Sequence, residues 1–308
     1  MNLIICCTPL QVLIAEQIIA QHPGQPFYGV MLATVTNKKF DFYQQRLAQK
    51  CVGFFSMVQR TERLALLKQI LLLKKQFGGK RFDKVFIANI NDLQIQFILS
   101  AITFDTLNTF DDGTANIIPG SIFYKTKPDT LNRKLINCLL GNRYSIDKLK
   151  QRSALHYSIY QGLPNIIENV TFVNLVKPMD GESRDTSVTN ILLGQPVYAD
   201  DQKNIALAQK VIERFHIHAY LPHPREKYRL DRVDYIDTNL IFEDYITQEF
   251  ADKKCRIYTY FSSAVVNIMN KSDNIEVVAL RIDVSEPAYI ACYDLLDKLG
   301  VNVIDIRE

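Results

Sequence analysis

The chain alternates short β-branched and aromatic runs with amphipathic helical segments along most of its length. In the first half, the predicted strands are residues 2–6, 27–34, 52–58, 84–90 and 105–110. Helical patterns separate consecutive strands, for example at 39–50 and 61–77. Alternation of this kind predicts βαβ units and a parallel sheet.

The alternation stops and then restarts, which indicates two domains. It loosens between residues 125 and 188, with a helix expected near 131–140 and a polar stretch at 177–189 that is the best linker candidate. From residue 190 to 306 strands and helices alternate again. We therefore expect an α/β protein with two Rossmann-like domains, residues 1–180 and 181–308, and a cleft between them.

Composition excludes several other classes. A chain of 308 residues suits two ordinary domains, and its net charge of +3 does not indicate nucleic-acid binding. The first twenty residues are apolar, but they lack a basic start and Glu16 interrupts them. We interpret this segment as a buried strand running into a helix, not as a signal peptide. No apolar run reaches the roughly 18–20 residues of a membrane-spanning helix.

The six cysteines are scattered and include no CxxC pair: Cys6, Cys7, Cys51, Cys138, Cys255 and Cys292. Several lie in apolar runs. This usage predicts buried thiols in a reducing compartment, and it disfavours both a zinc site and a disulfide framework.

Loops that follow strands are the first candidates for function, because ligands of open parallel sheets bind outside the carboxyl ends of the strands. Five such loops are "CTPLQ", "FDDGT", "LLGQPVYADD", "YLPHPRE" and "TYFSSA".

Asp111-Asp112-Gly113 in the second of these loops has three interpretations. The first interpretation is an ordinary turn, since Asp and Gly are common turn residues and Gly113 permits positive φ. The second interpretation is that the motif supplies a general base, which requires that burial raise the pKa of one carboxyl toward neutrality. A metal site is the weakest interpretation, because no further acid or histidine is clustered nearby.

Two further loops have matching structural and functional interpretations. His223-Pro224 is either a surface loop or a rigidly held imidazole that acts on a leaving phosphate. Ser262-Ser263 caps a predicted helix over 262–270, and its hydroxyls together with the helix N-terminus would also form an anion cradle.

Acidic pairs and one basic helix complete the candidates. Asp200-Asp201 and Glu243-Asp244 suit first helical turns, with ribose binding as the alternative for the second pair. The segment 60–81 carries seven basic residues and one acid among its leucines. It is either a core helix with a solvated face or a helix that rests on an anionic membrane.

These loops together resemble the bacterial lipooligosaccharide sialyltransferases of glycosyltransferase family 52. The resemblance covers nearly the whole chain through six segments: "NLIICCTPLQVLIAEQIIAQHPG", "NTFDDGTANI", "ILLGQP", "YLPHPREKYRL", "IFEDYI" and "IYTYFSSA". The acidic-acidic-glycine, His-Pro and paired-serine motifs of bacterial sialyltransferases all occur, in that order.

The resemblance implies a GT-B architecture and an inverting, metal-independent transfer of N-acetylneuraminic acid without a cofactor. The donor is CMP-sialic acid, and the acceptor is the 3-hydroxyl of a terminal galactose. His223 and Pro224 would meet the donor phosphate with Ser262 and Ser263. Glu243 would hold the ribose, and Gly194 would begin a loop near the donor.

The resemblance leaves the base open. Family members place it early in the helix before the His-Pro strand, which corresponds to Asp201, with Asp200 not excluded by the loop length. Related families use the second acid of the acidic motif, here Asp112. The alternatives are another nucleotide-sugar donor or a catalytically silent glycan-binding domain. The resemblance also implies a homodimer. We expect the protein at the cytoplasmic face of the inner membrane, where the basic segment 60–81 would make peripheral contact with anionic lipid.

Overall fold

The computed structural model describes residues 1–124, 137–175, 187–223, 225–269 and 272–307. The chain divides into two compact units, Met1–Leu175 and Val176–Glu308. The expected boundary was residue 180, five residues further on. Most of the predicted linker (177–186) and the first part of the helix expected near 131–140 lie outside the described residues.

The described residues of the N-terminal unit form seven strands. They are β1 Asn2–Cys6, β2 Phe27–Ala33, β3 Gly53–Val58, β4 Arg81–Ile87, β5 Thr103–Phe110, β6 Ser153–Ser158 and β7 Val170–Phe172. Its described helices are α1 Pro9–Ala20, α2 Lys38–Gln49, α3 Arg63–Phe77, α4 Leu93–Ala101 and α5 Ile146–Arg152. The five predicted strands are present, whereas β6 and β7 were not predicted.

The seven strands form one parallel sheet in the order β3-β2-β1-β4-β5-β6-β7. The central strand β1 is completely buried because apolar residues point to both of its faces. Helices α3 and α4 cover one face and supply Leu73, Phe77 and Ile95 to its core.

The C-terminal unit repeats this plan. Its strands are β8 Val188–Leu193, β9 Ala219–Leu221, β10 Asp234–Tyr235, β11 Lys254–Thr259, β12 Ile275–Arg281 and β13 Asn302–Asp305. Its helices are α6 Asp201–Phe215, α7 Phe242–Glu249 and α8 Pro287–Lys298. The parallel strands have the order β10-β9-β8-β11-β12-β13, so the prediction of two Rossmann-like domains is confirmed.

One predicted helix is wrong in type. The segment expected to form an α-helix over 262–270 forms a 3₁₀-helix of five residues, Ser263–Asn267. Val265 and Val266 lie inside it, and β-branched side chains lower the propensity for an α-helix. A helix this short supplies little of the macrodipole on which the predicted anion cradle depended.

Among the described residues, helix α3 packs on the domain core through one side. Its inward residues Ile70, Leu73 and Phe77 are buried, and several of its leucines are exposed. Within the described parts of the chain, no helix is both long enough and apolar enough to cross a bilayer.

The six cysteines are all free thiols. Cys6, Cys7 and Cys255 are buried, as predicted, and burial raises the pKa of each thiol. Cys138 is exposed, so the expectation of buried thiols is wrong at that position.

Candidate active site

The candidate residues of the N-terminal unit lie near the point where the strand order of its sheet reverses. Strands β1 and β4 are neighbours, and the chain winds outward from them to opposite edges of the sheet. Ligands of such sheets bind at this switch point. The loop after β1 leads to Gln11, the loop after β4 leads to Asp92, and Asp112 follows β5 on the next strand.

Asp111, the first acid of the motif, is sealed in the sheet. Its Oδ2 accepts hydrogen bonds from Ser158 Oγ and from the Ile159 backbone N–H, both at 2.7 Å. Its Oδ1 lies 2.9 Å from His156 Nε2 and accepts a hydrogen bond from Asn165 Nδ2 at 3.0 Å. The side chain is fully buried. Asp111 therefore ties β6 and the following loop to β5 and has no face left for a substrate.

Asp112, the second acid, is held from the loop after β1. Gln11 is fully buried, and its Nε2 donates to Asp112 Oδ1 while its Oε1 accepts from the Cys7 N–H at 2.5 Å. The Asp112 N–H donates to Asn116 Oδ1 at 2.9 Å. The "CTPLQ" loop thus positions the carboxylate of the "FDDGT" loop.

The surroundings of Asp112 make it a weak acid. Burial raises its pKa to about 6, the negative charges of Asp92 and Asp111 add to the rise, and the Gln11 hydrogen bond opposes it. Burial also raises the pKa of Asp92, whose Oδ2 accepts from Gln59 Nε2 at 2.6 Å. A carboxylate that takes up a proton near neutral pH has the property of a general base.

Gly113 has φ +121°, a conformation that glycine adopts without strain. The predicted turn with positive φ is therefore present directly after Asp112. The turn and the base interpretations are compatible, because a Cβ atom built at Gly113 would meet no atom within 4 Å, which leaves open space beside the Asp112 loop.

The C-terminal unit has its own switch point, between β8 and β11. Gly194 follows β8, and a Cβ atom there would lie 2.4 Å from Glu226 Oε2 and 2.5 Å from the Tyr220 hydroxyl. Gln195 Oε1 accepts from the Phe261 N–H at 3.1 Å, which ties this loop to the loop after β11. Only glycine allows the backbone to approach the Glu226 carboxylate so closely.

His223 is half-buried in the loop after β9. Its N–H donates to Glu226 Oε2 at 2.7 Å, and its Nδ1 accepts from the Arg225 N–H at 3.1 Å. Because Nδ1 is an acceptor, the proton of the neutral ring lies on Nε2. Burial, and then the Arg225 charge, lower the pKa of His223. The ring is therefore a neutral Nε2–H donor at neutral pH. Pro224 lies outside the described residues.

Sequence reasoning missed Glu226 and its tyrosines. Burial raises the pKa of Glu226, and burial together with Glu226 raises the pKa of Tyr228 to about 12. Among the described residues, Glu226 Oε1 and the Tyr260 hydroxyl are buried without a hydrogen-bond partner. The only available signal was the position of Glu226, three residues after His223.

The two acids at the start of α6 have different positions. Asp200 is the N-cap, and its Oδ1 accepts from the Gln202 N–H at 2.8 Å. Asp201 is the first helical residue and is exposed, and its charge contributes to the raised pKa of Tyr228. Asp201 and His223 thus lie in the same unit around Tyr228 and Glu226, whereas Asp112 belongs to the other unit.

Glu243 and Ser262 meet the same short 3₁₀-helix. Glu243 is buried, and its Oε1 accepts from Asn267 Nδ2 at 2.7 Å. Ser262 Oγ accepts from the Ala264 N–H at 3.3 Å, which makes Ser262 a cap, and Ser263 is the first residue of the helix. Their predicted contacts with ribose and phosphate stay predictions. No group of three or more His, Cys, Asp or Glu side chains that could hold a metal occurs among the described residues.

Two Rossmann-like units with ionisable side chains at the carboxyl ends of their strands are typical of enzymes that bind nucleotides. Residues 24–284 match the model of Glycosyltransferase family 52, and the chain belongs to that family. It is therefore a glycosyltransferase, and the resemblance drawn from its motifs is confirmed.

Three relatives are similar along most of the chain. The CMP-N-acetylneuraminate:beta-galactoside alpha-2,3-sialyltransferase of Pasteurella multocida is 68% identical over 308 residues, covering 100% of both chains. The N-acetyllactosaminide alpha-2,3-sialyltransferase of Haemophilus influenzae is 37% identical and covers 98% of this chain and 99% of its own. The enzyme of that name from Neisseria meningitidis is 30% identical and covers 91% of this chain and 78% of its own.

Solved structures are similar at a lower level. Acinetobacter baumannii MurG matches with a TM-score of 0.45 at 8% identity, over 99% of this chain and 85% of that one. Phytolacca americana UGT2 in its apo form matches with a TM-score of 0.47 at 9% identity, over the same shares of the two chains.

Proposed function

We propose that the chain transfers N-acetylneuraminic acid from CMP-N-acetylneuraminic acid to the 3-hydroxyl of a terminal galactose. The observation that carries the proposal is the 68% identity, over the full length of both chains, to an enzyme named for this reaction. The acceptor is lipooligosaccharide or a related galactoside. The transfer inverts the anomeric centre and uses no metal ion and no cofactor.

The reaction requires a proton acceptor at the attacking hydroxyl. The galactose oxygen attacks the anomeric carbon and gives its proton to a carboxylate as the bond to the CMP phosphate breaks. Asp201 is the proposed base because it is exposed at the start of α6, whereas the neighbouring Asp200 is engaged as the cap. Asp112 is the second candidate because its pKa is raised to about 6.

The departing phosphate requires hydrogen-bond donors. In this mechanism His223 donates through Nε2–H, since its Nδ1 is occupied by the Arg225 N–H. Ser262 and Ser263 contribute hydroxyls at the start of the 3₁₀-helix. Hydrogen-bond donors that point at the phosphate oxygen on which negative charge develops lower the activation free energy of the transfer, so no metal ion is needed to stabilise that charge.

The remaining donor contacts follow the family pattern. Gly194 lets the loop after β8 approach the nucleotide, and Glu243 holds the ribose through the carboxylate that Asn267 fixes.

Thermal denaturation tests the donor class separately from catalysis. CMP should raise the melting temperature more than UDP or GDP at equal concentration, because a ligand that binds only the folded state stabilises it. Preferential stabilisation by UDP would contradict the proposed donor. Turnover that persists in EDTA supports the metal-independent mechanism, and activity that returns only on adding a divalent cation argues against it.

The proposed cellular setting is the cytoplasmic face of the inner membrane, where the protein works as a homodimer. Its acceptor is carried by a lipid, so a peripheral position next to the bilayer suits the reaction. Light scattering after gel filtration measures the oligomeric state, and a monomeric mass at working concentration would exclude the dimer.

A further inference from the structure

Helix α3 carries leucines on the side that faces away from the domain core. Leu64, Leu67, Leu71 and Leu72 are 77%, 38%, 55% and 49% exposed. The first three have the spacing i, i+3 and i+7, so they lie along one face of the helix. The core is served by other residues, including Ile70, Leu73 and Phe77. The outward leucines therefore contribute little to folding.

The same face is basic. Lys68 lies one turn after Leu64 and Lys75 lies one turn after Leu71, and both are exposed. The sequence of α3 contains no acidic residue and adds Arg63 and Lys74 to the two lysines. Solvent-exposed helix faces in soluble domains usually mix both signs of charge with few leucines.

The surface continues beyond the end of α3. Lys74 Nζ donates to the Leu140 carbonyl at 3.0 Å, so the chain around Leu140 lies beside the last turn of the helix. Leu139 is 77% exposed there. Arg143 and Lys148 are also exposed, and with Lys74 they line a shallow pocket beside the end of the helix. Leucines surrounded by basic side chains thus extend over two elements of the N-terminal unit.

We infer that the outward face of α3, together with Leu139, docks on an anionic lipid bilayer. Leucine side chains enter the boundary of the acyl chains, and the lysines remain at the level of the headgroups, where anionic lipid attracts them. The charge selects this occupant. A symmetric contact between two copies of this face would place basic side chains of one α3 against basic side chains of the other, because the helix contains no acidic residue to pair with them.

If α3 lies on the bilayer, the position of the acceptor glycan follows; this step rests on the proposed function. The amino end of α3 borders a pocket of about 310 Å³ whose lining includes Gln59, Arg60, Leu66 and Asp92. Gln59 and Asp92 are hydrogen-bonded to each other, and Asp92 contributes to the raised pKa of Asp112. A helix that lies on the bilayer would keep this pocket close to a glycan that projects from the same membrane.

Co-sedimentation of the full-length protein with lipid vesicles tests the docking surface. The protein should bind vesicles of phosphatidylcholine with phosphatidylglycerol and bind poorly to phosphatidylcholine alone. Replacing Lys68 and Lys75 by Gln should weaken binding to the anionic vesicles about 30-fold, since each basic residue near an anionic surface contributes roughly fivefold. Changing Leu64, Leu67 and Leu71 together to Gln should abolish it.

Matched variants separate this surface from general effects. Lys253→Gln with Lys254→Gln removes two exposed lysines of the other unit, and Ile290→Gln removes an exposed apolar residue of α8. Both should bind the vesicles like the unaltered protein. The α3 variants should keep their activity on a soluble galactoside. Vesicle binding is measured without substrates, so failure of the docking inference can be distinguished from failure of the proposed function.

Results of two kinds would overturn the inference. One is vesicle binding that does not depend on this face: either equal binding to neutral and anionic vesicles, or binding that the α3 variants do not change. The other is conversion of a dimer to a monomer by the leucine variant without any loss of vesicle binding, which would make this face an interface between copies.

Discussion

Adjacent residues of this chain have opposite chemical environments. Asp111 receives two backbone or hydroxyl donors at one oxygen and pairs with His156 and Asn165 at the other. Among the described residues, Asp112 accepts a hydrogen bond from one side chain, Gln11, and burial raises its pKa to about 6. In extended backbone, successive side chains point to opposite sides, so two consecutive acids at the end of β5 lie in different surroundings.

Replacing Asp111 by Ala should unfold the N-terminal unit at lower denaturant concentration. The change leaves buried donors from His156, Ser158 and Ile159 without an acceptor. Removing one partner from a buried charged network costs roughly 3–5 kcal/mol. Urea denaturation followed by circular dichroism measures the loss, and a change under about 0.5 kcal/mol, as for ordinary surface substitutions, would contradict the structural role.

Replacing Asp112 by Asn should stabilise the protein at pH 8 and change little at pH 3.5. The folded pKa of about 6 lies above the unfolded value of about 3.9. The stability contributed by the bound proton is therefore present below pH 4 and is lost as the pH rises through 6. Above that pH the variant gains up to about 3 kcal/mol. Melting temperatures at the two pH values measure it, and a destabilisation that grows with pH would exclude the raised pKa.

Replacing His223 by Ala should lower kcat by roughly 10²–10⁴, as for other proton-donating groups. The ring presents Nε2–H because its Nδ1 accepts from the Arg225 N–H. The control is His216→Asn, since His216 is exposed and adopts φ 50°, a left-handed conformation that Asn tolerates. Steady-state kinetics measure both variants, and unchanged turnover of the His223 variant would remove its catalytic role.

At the scale of elements, the start of α6 distinguishes a cap from a base. Replacing Asp200 by Ala should destabilise the protein by about 1 kcal/mol and leave kcat within a few-fold, because a cap is lost. Replacing Asp201 by Ala should lower kcat by at least about 100-fold with little effect on stability. Parallel denaturation and kinetics compare the two. The reverse pattern would make Asp200 the base, and two active variants would leave Asp112 as the candidate.

Elements with regular apolar patterns could be predicted, and elements that serve a polar network could not. Strand β1 and helix α1 follow from an apolar run, an N-cap at Thr8 and Pro9 at the first helical position. Strand β6 was missed because its buried residues include His156 and Ser158, which serve Asp111 and interrupt the apolar run.

At the scale of the whole molecule, the sequence indicated where the site residues lie but not what they touch. Asp112, His223 and Ser262 follow strands, which is visible from the alternation. Gln11 and Asp112 are 101 residues apart in the sequence. The Glu226 carboxylate lies in the space that a side chain at position 194 would occupy. Such contacts depend on the order of the strands, which the spacing of apolar residues does not specify.

The most direct test of the proposed function is the product of a single reaction. The protein is incubated with CMP-N-acetylneuraminic acid and lactose in EDTA, and the purified product is examined by NMR. We expect free CMP and an equal amount of sialyllactose, with the sialic acid inverted at its anomeric carbon and joined to the galactose 3-hydroxyl. Release of CMP without sialyllactose, or no reaction with this donor and any galactoside, would contradict the account.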